Sequence, residues 1–303
     1  MTKYVALSCD ANPLYSIWAP LMVRFWRRLG YTPILFQHND GWSTELAMLV
    51  DRLLDEEHLR GETIVVKIPR IGPLSIGNTM RVSRVAASAV ASLSPTDFIL
   101  TSDIDMAPLS RTFFDRDPEQ CWVLRGDMYG SFEGASAMMH DGTKGLIAGL
   151  WRFPLCYIGM PVFAWRTIMP IVVGDAEKSI RNINHGLRQD AHDHDEACTS
   201  ARLLLSAWAA GSLEESHVVE VDGGKRWFQG ALNLVAQTDW PKGQPSRMLL
   251  GGQATKHNPR AVDWHIKSTG KWIGPALAAY WPEERDFINE YWPRACKAIG
   301  VTT

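Results

Sequence analysis

Nothing in these 303 residues resembles a membrane span or an export signal. The longest uncharged apolar stretch, Phe153 to Trp165, is too short to cross a bilayer. Met1-Thr2-Lys3-Tyr4 leads straight into strand-like sequence without a signal-peptide pattern. No N-x-[ST] acceptor occurs, which fits a non-secretory history. Cysteine is scarce: Cys9, Cys121, Cys156, Cys198 and Cys296 are odd in number, widely spread and form no C-x-x-C pair. They read as reduced, packed thiols of a cytoplasmic protein rather than a disulfide framework or zinc ribbon. An excess of either charge is also missing. A net charge of −2 leaves no sign of the basic patch that a nucleic-acid partner needs. Internal repeats, low-complexity tracts and flexible linkers are absent.

Apolar residues make up 46% and charged residues 21%, so a large core can form. Thirteen tryptophans is a high count; some must be core, yet flat aromatic faces also stack on sugar rings, so the excess leans towards carbohydrate.

The first half alternates between strand-like and helix-like segments. Strands are predicted at Tyr4 to Cys9, Thr32 to Gln37 and Thr63 to Ile68. Helices are predicted from about Leu14 to Leu29, ended by Gly30, and from Trp42 to Leu59. A third helix is predicted from an Asn78 cap to about Leu93, closed by Pro95. Apolar strands alternating with helices imply an α/β fold with parallel strands and right-handed crossovers. The second half is less regular. Strand-like sequence recurs at Cys121 to Leu124, Cys156 to Trp165 and His217 to Val221. Gly126 to Gly149 reads as a mobile connection, Ala197 to Ala210 as a helix, and the chain from Asp239 onward as a tail wrapping over the site.

The segment Asp97-Phe98-Ile99-Leu100-Thr101-Ser102-Asp103-Ile104-Asp105-Met106 is an apolar strand ending in two acids one residue apart. Strand alternation would send Asp103 and Asp105 to one side. Two hard oxygen ligands at a strand's carboxyl end, where α/β sheets bind ligands, suit Mg²⁺ or Mn²⁺. Such an ion carries a diphosphate, and hence a nucleotide sugar. A plain turn with carboxylates bonded to backbone is the bland alternative. Near the other end, Asp263-Trp264-His265-Ile266-Lys267-Ser268-Thr269-Gly270-Lys271-Trp272 offers His265 as a third metal ligand. Lys267 and Lys271 can face phosphate, and Gly270 permits close backbone approach.

These features resemble those of the GT-A fold glycosyltransferases. Asp103-Ile104-Asp105 matches their D-x-D motif. His265…Gly270-Lys271-Trp272 is similar to the His-Gly-Lys-Pro-Trp signature of retaining glycogenin-like transferases, with wider spacing after the histidine and no proline. The resemblance implies a single domain over 1–303, with a mixed, largely parallel sheet flanked by helices. Residues 1–110 would be the nucleotide-binding half, and 111–303 the acceptor-binding half and C-terminal tail. It implies hexosyl or pentosyl transfer from a UDP- or GDP-linked sugar to a carbohydrate or other hydroxyl acceptor, leaning towards retention. It also implies metal ligands Asp103, Asp105 and His265, with Ser102, Ile104, Lys267, Gly270 and Lys271 beside the donor. By fold analogy, Ser8, Asp10, Asn12 and Tyr15 would meet the base and ribose. Arg81 and Arg84, three apart on a helix, would lie near the phosphates, or equally form a solvated face.

Ala191-His192-Asp193-His194-Asp195-Glu196-Ala197 is similar to the acidic turn of such enzymes, His-Asp-Glu in the blood-group transferases. That match makes Asp195 and Glu196 the catalytic candidates. Asp193 and Glu196 also fit a capping box, and His192, Asp193 and His194 are conceivable zinc ligands. Gly159 either lets a site strand approach the sugar or marks a bulge in a core strand.

Other classes fit less well. A haloacid-dehalogenase-type phosphatase carries D-x-D on its first strand with Thr or Val two residues beyond, whereas here three units precede it and Ala107 fills that position. Cys9-Asp10-Ala11-Asn12-Pro13 is not the glycine- and arginine-rich loop of a sugar-phosphate nucleotidyltransferase. A nucleotide-sugar-binding protein without turnover is the non-enzyme alternative.

Overall fold

The strand β1 (Lys3–Cys9) becomes wholly buried from Val5 onward, as a central strand covered on both faces must. The computed structural model describes residues 1–72, 74–119, 121–124, 131–132, 135–138, 144–147, 150–151, 155–184, 199–200, 202, 220–221, 232–235, 262–266 and 269–301. The chain forms two compact units. The first comprises Met1–Ala6, Ile68–Ser102 and Asp117–Gln237, the second Leu7–Lys67, Asp103–Arg116 and Thr238–Thr303.

In the first unit β1 pairs in parallel with β4 (Phe98–Thr101), Lys3 opposite Phe98 and Ala6 opposite Thr101. Asp97 fixes the start of β4: its Oδ1 accepts from the Thr2 amide and its Oδ2 from the Ser94 amide, both at 2.8 Å. The sheet continues antiparallel through β11 (Ile158–Pro161) to β6 (Cys121–Leu124), then parallel to β13 (Leu232–Val235). Between β6 and β11 lie the short strands β7 (Ser131–Phe132), β8 (Ala135–Met138), β9 (Lys144–Ile147) and β10 (Leu150–Trp151). β8 and β9 form a small antiparallel sheet with β12 (Glu220–Val221). The predicted connection at Gly126 to Gly149 therefore contains strands. The architecture is α/β with a mixed sheet.

Several boundaries depart from the sequence reading. The helix α4 (Ile76–Val85) is capped by Ser75, whose Oγ accepts from the Asn78 amide, rather than by Asn78. After α4 a 3₁₀ turn at Ala87–Ala89 replaces the predicted run to Leu93. The predicted strand Cys156 to Trp165 splits into a 3₁₀ turn at Leu155–Tyr157, β11, and α6 (Val162–Ile168). The helix α7 (Ala176–Asn184) follows.

Gly159 is a packing glycine. A Cβ there would lie 2.4 Å from Phe98 Cζ and 3.2 Å from Leu100 Cδ1, both on buried side chains of β4. Gly159→Ala is expected to cost about 1–3 kcal/mol by overpacking. A urea midpoint unchanged from wild type would show that Phe98 can move aside.

In the second unit β1 ends beside β2 (Thr32–His38), which neighbours β3 (Ile64–Ile68). The connection from β1 to β2 is helical, so the two strands run parallel. The predicted first helix is two: α1 (Pro13–Ser16) and α2 (Ala19–Arg28). Pro20 lacks an N–H and sits in the first turn of α2, where that loss costs nothing. Gly30 follows with φ 87°, the left-handed conformation that ends a helix. α3 (Glu45–Leu59) starts three residues later than predicted because Thr44 Oγ1 caps the Ala47 amide. Beyond these come β5 (Met106–Pro108), α5 (Arg111–Phe114), β14 (Asp263–His265), α8 (Ile273–Tyr280) and α9 (Arg285–Ala298). Trp26 meets Phe114 edge-on, Phe25 stacks on Trp281, and Tyr31 donates to the Phe114 carbonyl at 2.6 Å. Much of the tryptophan surplus is therefore core.

Candidate active site

Strand geometry ends at Thr101, before either acid. Asp103 and Asp105 occupy a turn closed by the Met106 amide on the Asp103 carbonyl, 3.3 Å. Strand alternation therefore does not set their directions. The turn and its connections do. Between them Ile104 is buried and anchors the turn. β5 then pairs antiparallel with β14, His265 opposite Met106 and Asp263 opposite Pro108. The Ile266 amide donates to the Asp105 carbonyl at 2.8 Å, and His265 Nε2 lies 3.1 Å from Asp105 Oδ2. Backbone and side chain thus both tie Asp105 to His265 across 160 residues of sequence. The two side chains are 15% and 16% exposed, sheltered yet reachable.

Buried Trp264 holds β14 in place and stacks on Trp272 with centroids 5.8 Å apart. Gly270 leaves room for that indole, because a Cβ there would sit 2.8 Å from Trp272 Nε1. The Gly270 carbonyl accepts from Trp292 Nε1 at 3.2 Å. Lys271 is exposed.

The exit loop of β1 belongs to the same unit. Asp10 Oδ1 accepts from the Asn12 amide at 3.0 Å, and Asn12 Oδ1 caps α1 through the Leu14 amide at 3.1 Å. Both side chains therefore have structural work whatever else they do. Ser8 is buried and Tyr15 exposed. Burial pushes the Cys9 thiol far up, reinforced by Asp10, so it stays protonated and is no nucleophile. Arg81, half-buried, and Arg84, buried, stand on α4 in the first unit. Ser102, just after β4 in the same unit, is buried and donates its amide to the Ala6 carbonyl. Asp195, Glu196 and Lys267 lie outside the described residues.

Two polar residues escaped the sequence reading. β2 ends in Gln37-His38, both fully buried. His38 Nδ1 accepts from the Asp40 amide at 3.1 Å, which places the ring proton on Nε2. That nitrogen and Gln37 Oε1 are buried without a hydrogen-bond partner among the described residues. The only signal in sequence was a polar pair closing an apolar strand.

Among the described residues no three His, Cys, Asp or Glu side chains form a ready metal cage. Asp105 and His265 are together, and Asp103 is not grouped with them. The pair nevertheless fits a divalent ion. Donors each about 2.1 Å from an octahedral ion, at right angles, stand about 3 Å apart, and the observed separation is 3.1 Å. Carboxylate oxygen suits Mg²⁺ or Mn²⁺, and imidazole suits first-row transition ions, so the pair is compatible with Mn²⁺. His265 Nδ1 is buried with no partner, so an acceptor orienting the ring from that side is not among the described residues.

By sequence, the chain matches no protein-family model and no curated protein. Several solved structures are similar to it. One is the galactosyltransferase LgtC in complex with donor and acceptor sugar analogues: TM-score 0.42, 12% identity, covering 100% of this chain and 97% of that one. An active-site mutant of LgtC gives 0.40 and 14% over 66% and 69%. The glycosyltransferase GlyE of Streptococcus pneumoniae TIGR4 gives 0.39 and 11% over 96% of this chain and 64% of its own.

Proposed function

We propose that this protein is a metal-dependent glycosyltransferase of the GT-A type, moving a sugar from a UDP- or GDP-linked donor to a hydroxyl on a glycan or similar acceptor. The observation that carries this reading is the Asp103-Ile104-Asp105 turn leaving β4 with His265 at 3.1 Å from Asp105. Asp105 and His265, with Asp103, hold a Mn²⁺ or Mg²⁺ ion. When bound, that ion supplies Lewis-acid stabilisation of the departing diphosphate. Lys271, with Lys267, contributes fixed positive charge towards the same oxygens. Asp10, Asn12 and Tyr15 at the exit of β1 bind the base and ribose. Asp195 or Glu196 stabilises an oxocarbenium-like sugar carbon in a retaining route, or takes the acceptor's proton in an inverting one.

We also place the protein in the cytoplasm. Cys9, Cys121, Cys156 and Cys296 are buried and free, which supports a reducing compartment. Among the described residues no helix is long and apolar enough to cross a membrane.

A thermal-shift screen of nucleotides and nucleotide sugars, with and without Mn²⁺, tests the donor assignment, since a ligand binding only the native state raises Tm. Release of nucleoside diphosphate distinguishes turnover from binding alone. His265→Ala is expected to raise the Mn²⁺ concentration for half-maximal activity by about tenfold or more, with little loss of Tm. An unchanged metal titration removes His265 from the ligand set.

A further inference from the structure

A second charged site stands in the second unit, at the sheet edge where β2 and β3 begin. That is the edge opposite to the one where β1 ends and Asp10 and Asn12 stand. There the end of α2, the segment after α3 and the turn before α9 bring Arg24, Arg27, Arg28, Arg60, Glu62 and Glu284 around a cleft of about 530 Å³. Two buried carboxylates hold these arginines: Glu284, 4% exposed, which lines the cleft, and Glu57, 2% exposed, which pairs with the lining guanidiniums. Glu57 is gripped by Arg24 and Arg27 at 2.6 Å and by Arg60 at 2.8 Å. Glu284 is held by Arg24 at 3.1 Å and Arg28 at 2.5 Å. Glu62, at the rim, engages Arg27 at 2.6 Å and Arg60 at 3.0 Å.

Every oxygen of the three carboxylates is thereby engaged, and four guanidiniums surround them. Three cations would suffice for charge balance, so one positive charge is surplus. Donors are surplus too. Arg28 binds Glu284 through Nε alone, and its two terminal nitrogens meet no acceptor among the described residues. The side chains of Arg28 and Arg60 remain 48% and 49% exposed. The buried glutamates fix the guanidinium planes in advance, so an incoming anion need not order long flexible side chains. A concave surface with surplus positive charge concentrates anions, and guanidinium forks match tetrahedral oxyanions in particular.

We propose that this cleft is a binding site for a phosphate-bearing ligand, separate from the proposed donor site and independent of it. The test is calorimetric titration of the full chain with inorganic phosphate and pyrophosphate in EDTA, at ionic strength fixed with NaCl. Chelation removes any metal-bridged binding at Asp103 and Asp105, so failure here leaves the transferase reading untouched. Wild type is expected to bind at least one of the two saturably. Arg28→Gln combined with Arg60→Gln should weaken that binding about tenfold or more, since two charged hydrogen-bond donors are lost. Glu62→Gln removes a competing carboxylate and leaves Glu57 and Glu284 in place, so it should tighten binding about threefold or more. That opposite change cannot be produced by a folding defect. Absence of saturable heat above the NaCl control, or equal affinity in wild type and both variants, overturns the proposal.

Discussion

Asp105→Asn is expected to lower nucleotide-sugar turnover by about a hundredfold or more, the scale of removing one electrostatic group that acts on developing charge. Tm should stay within about 2 °C, because little stability depends on the lost charge. The backbone tie that fixes the turn, the Ile266 amide on the Asp105 carbonyl, does not involve the side chain. The Asn oxygen can still accept from His265. What disappears is the anionic oxygen, and an amide is a poor ligand for a hard cation. Asp103→Asn should act in the same direction. Nucleoside diphosphate release, measured with and without EDTA beside a melting curve, checks both variants. Full turnover in either, or turnover undiminished by chelation, would remove the acids from the chemistry.

Strand-helix alternation in the first 105 residues was legible because each apolar strand is bounded by a turn residue and each helix carries its own periodicity. Errors there were local. Ser75, three positions before Asn78, took the cap of α4, and Pro20 divided α1 from α2. The second half failed for a different reason. A short apolar run buried on all sides has no periodicity to separate strand from helix, and Cys156 to Trp165 contains both. The antiparallel insertion of β11 beside β4 rests on pairing between distant segments, which no local pattern encodes.

The same distinction applies at the site. Asp103 and Asp105 stood out because their segment is contiguous. The partnership of Asp105 with His265 depends on β5 meeting β14, a long-range pairing that ligand chemistry and family resemblance suggested but no local pattern encodes. Gln37 and His38 were missed because a polar pair at a strand's end usually faces water, whereas here both are buried. The arginine cleft was invisible for a related reason. Arg24, Arg27 and Arg28 sit at one helix end, and their partners Glu57, Glu62 and Glu284 come from elsewhere in the chain.

Gly274→Ala should destabilise the protein by about 2 kcal/mol, although alanine in a helix is ordinarily better than glycine by about 1 kcal/mol. Gly274 is the second residue of α8, and a Cβ there would lie 2.5 Å from Trp292 Cδ1, 2.8 Å from Cγ and 3.2 Å from Cβ. The last contact is next to the α9 backbone, so a rotamer change cannot relieve it. Trp292 is also held from two other directions. Its ring stacks on Trp18 at 5.1 Å, and its Nε1 donates to the Gly270 carbonyl. Gly77→Ala in α4 is the matched control: it too is the second residue of a helix, and nothing lies within 4 Å of its added methyl group. It should be neutral or slightly stabilising. For a protein of this size the Gly274 change should lower Tm by about 3 °C, while the Gly77 change leaves it level or raised. Equal melting temperatures for the two variants would show that Trp292 yields at little cost. If it does not yield, the strain falls on the Gly270 carbonyl, five residues after His265. Gly274→Ala should then also raise the Mn²⁺ requirement, a coupling that the Gly77 control lacks.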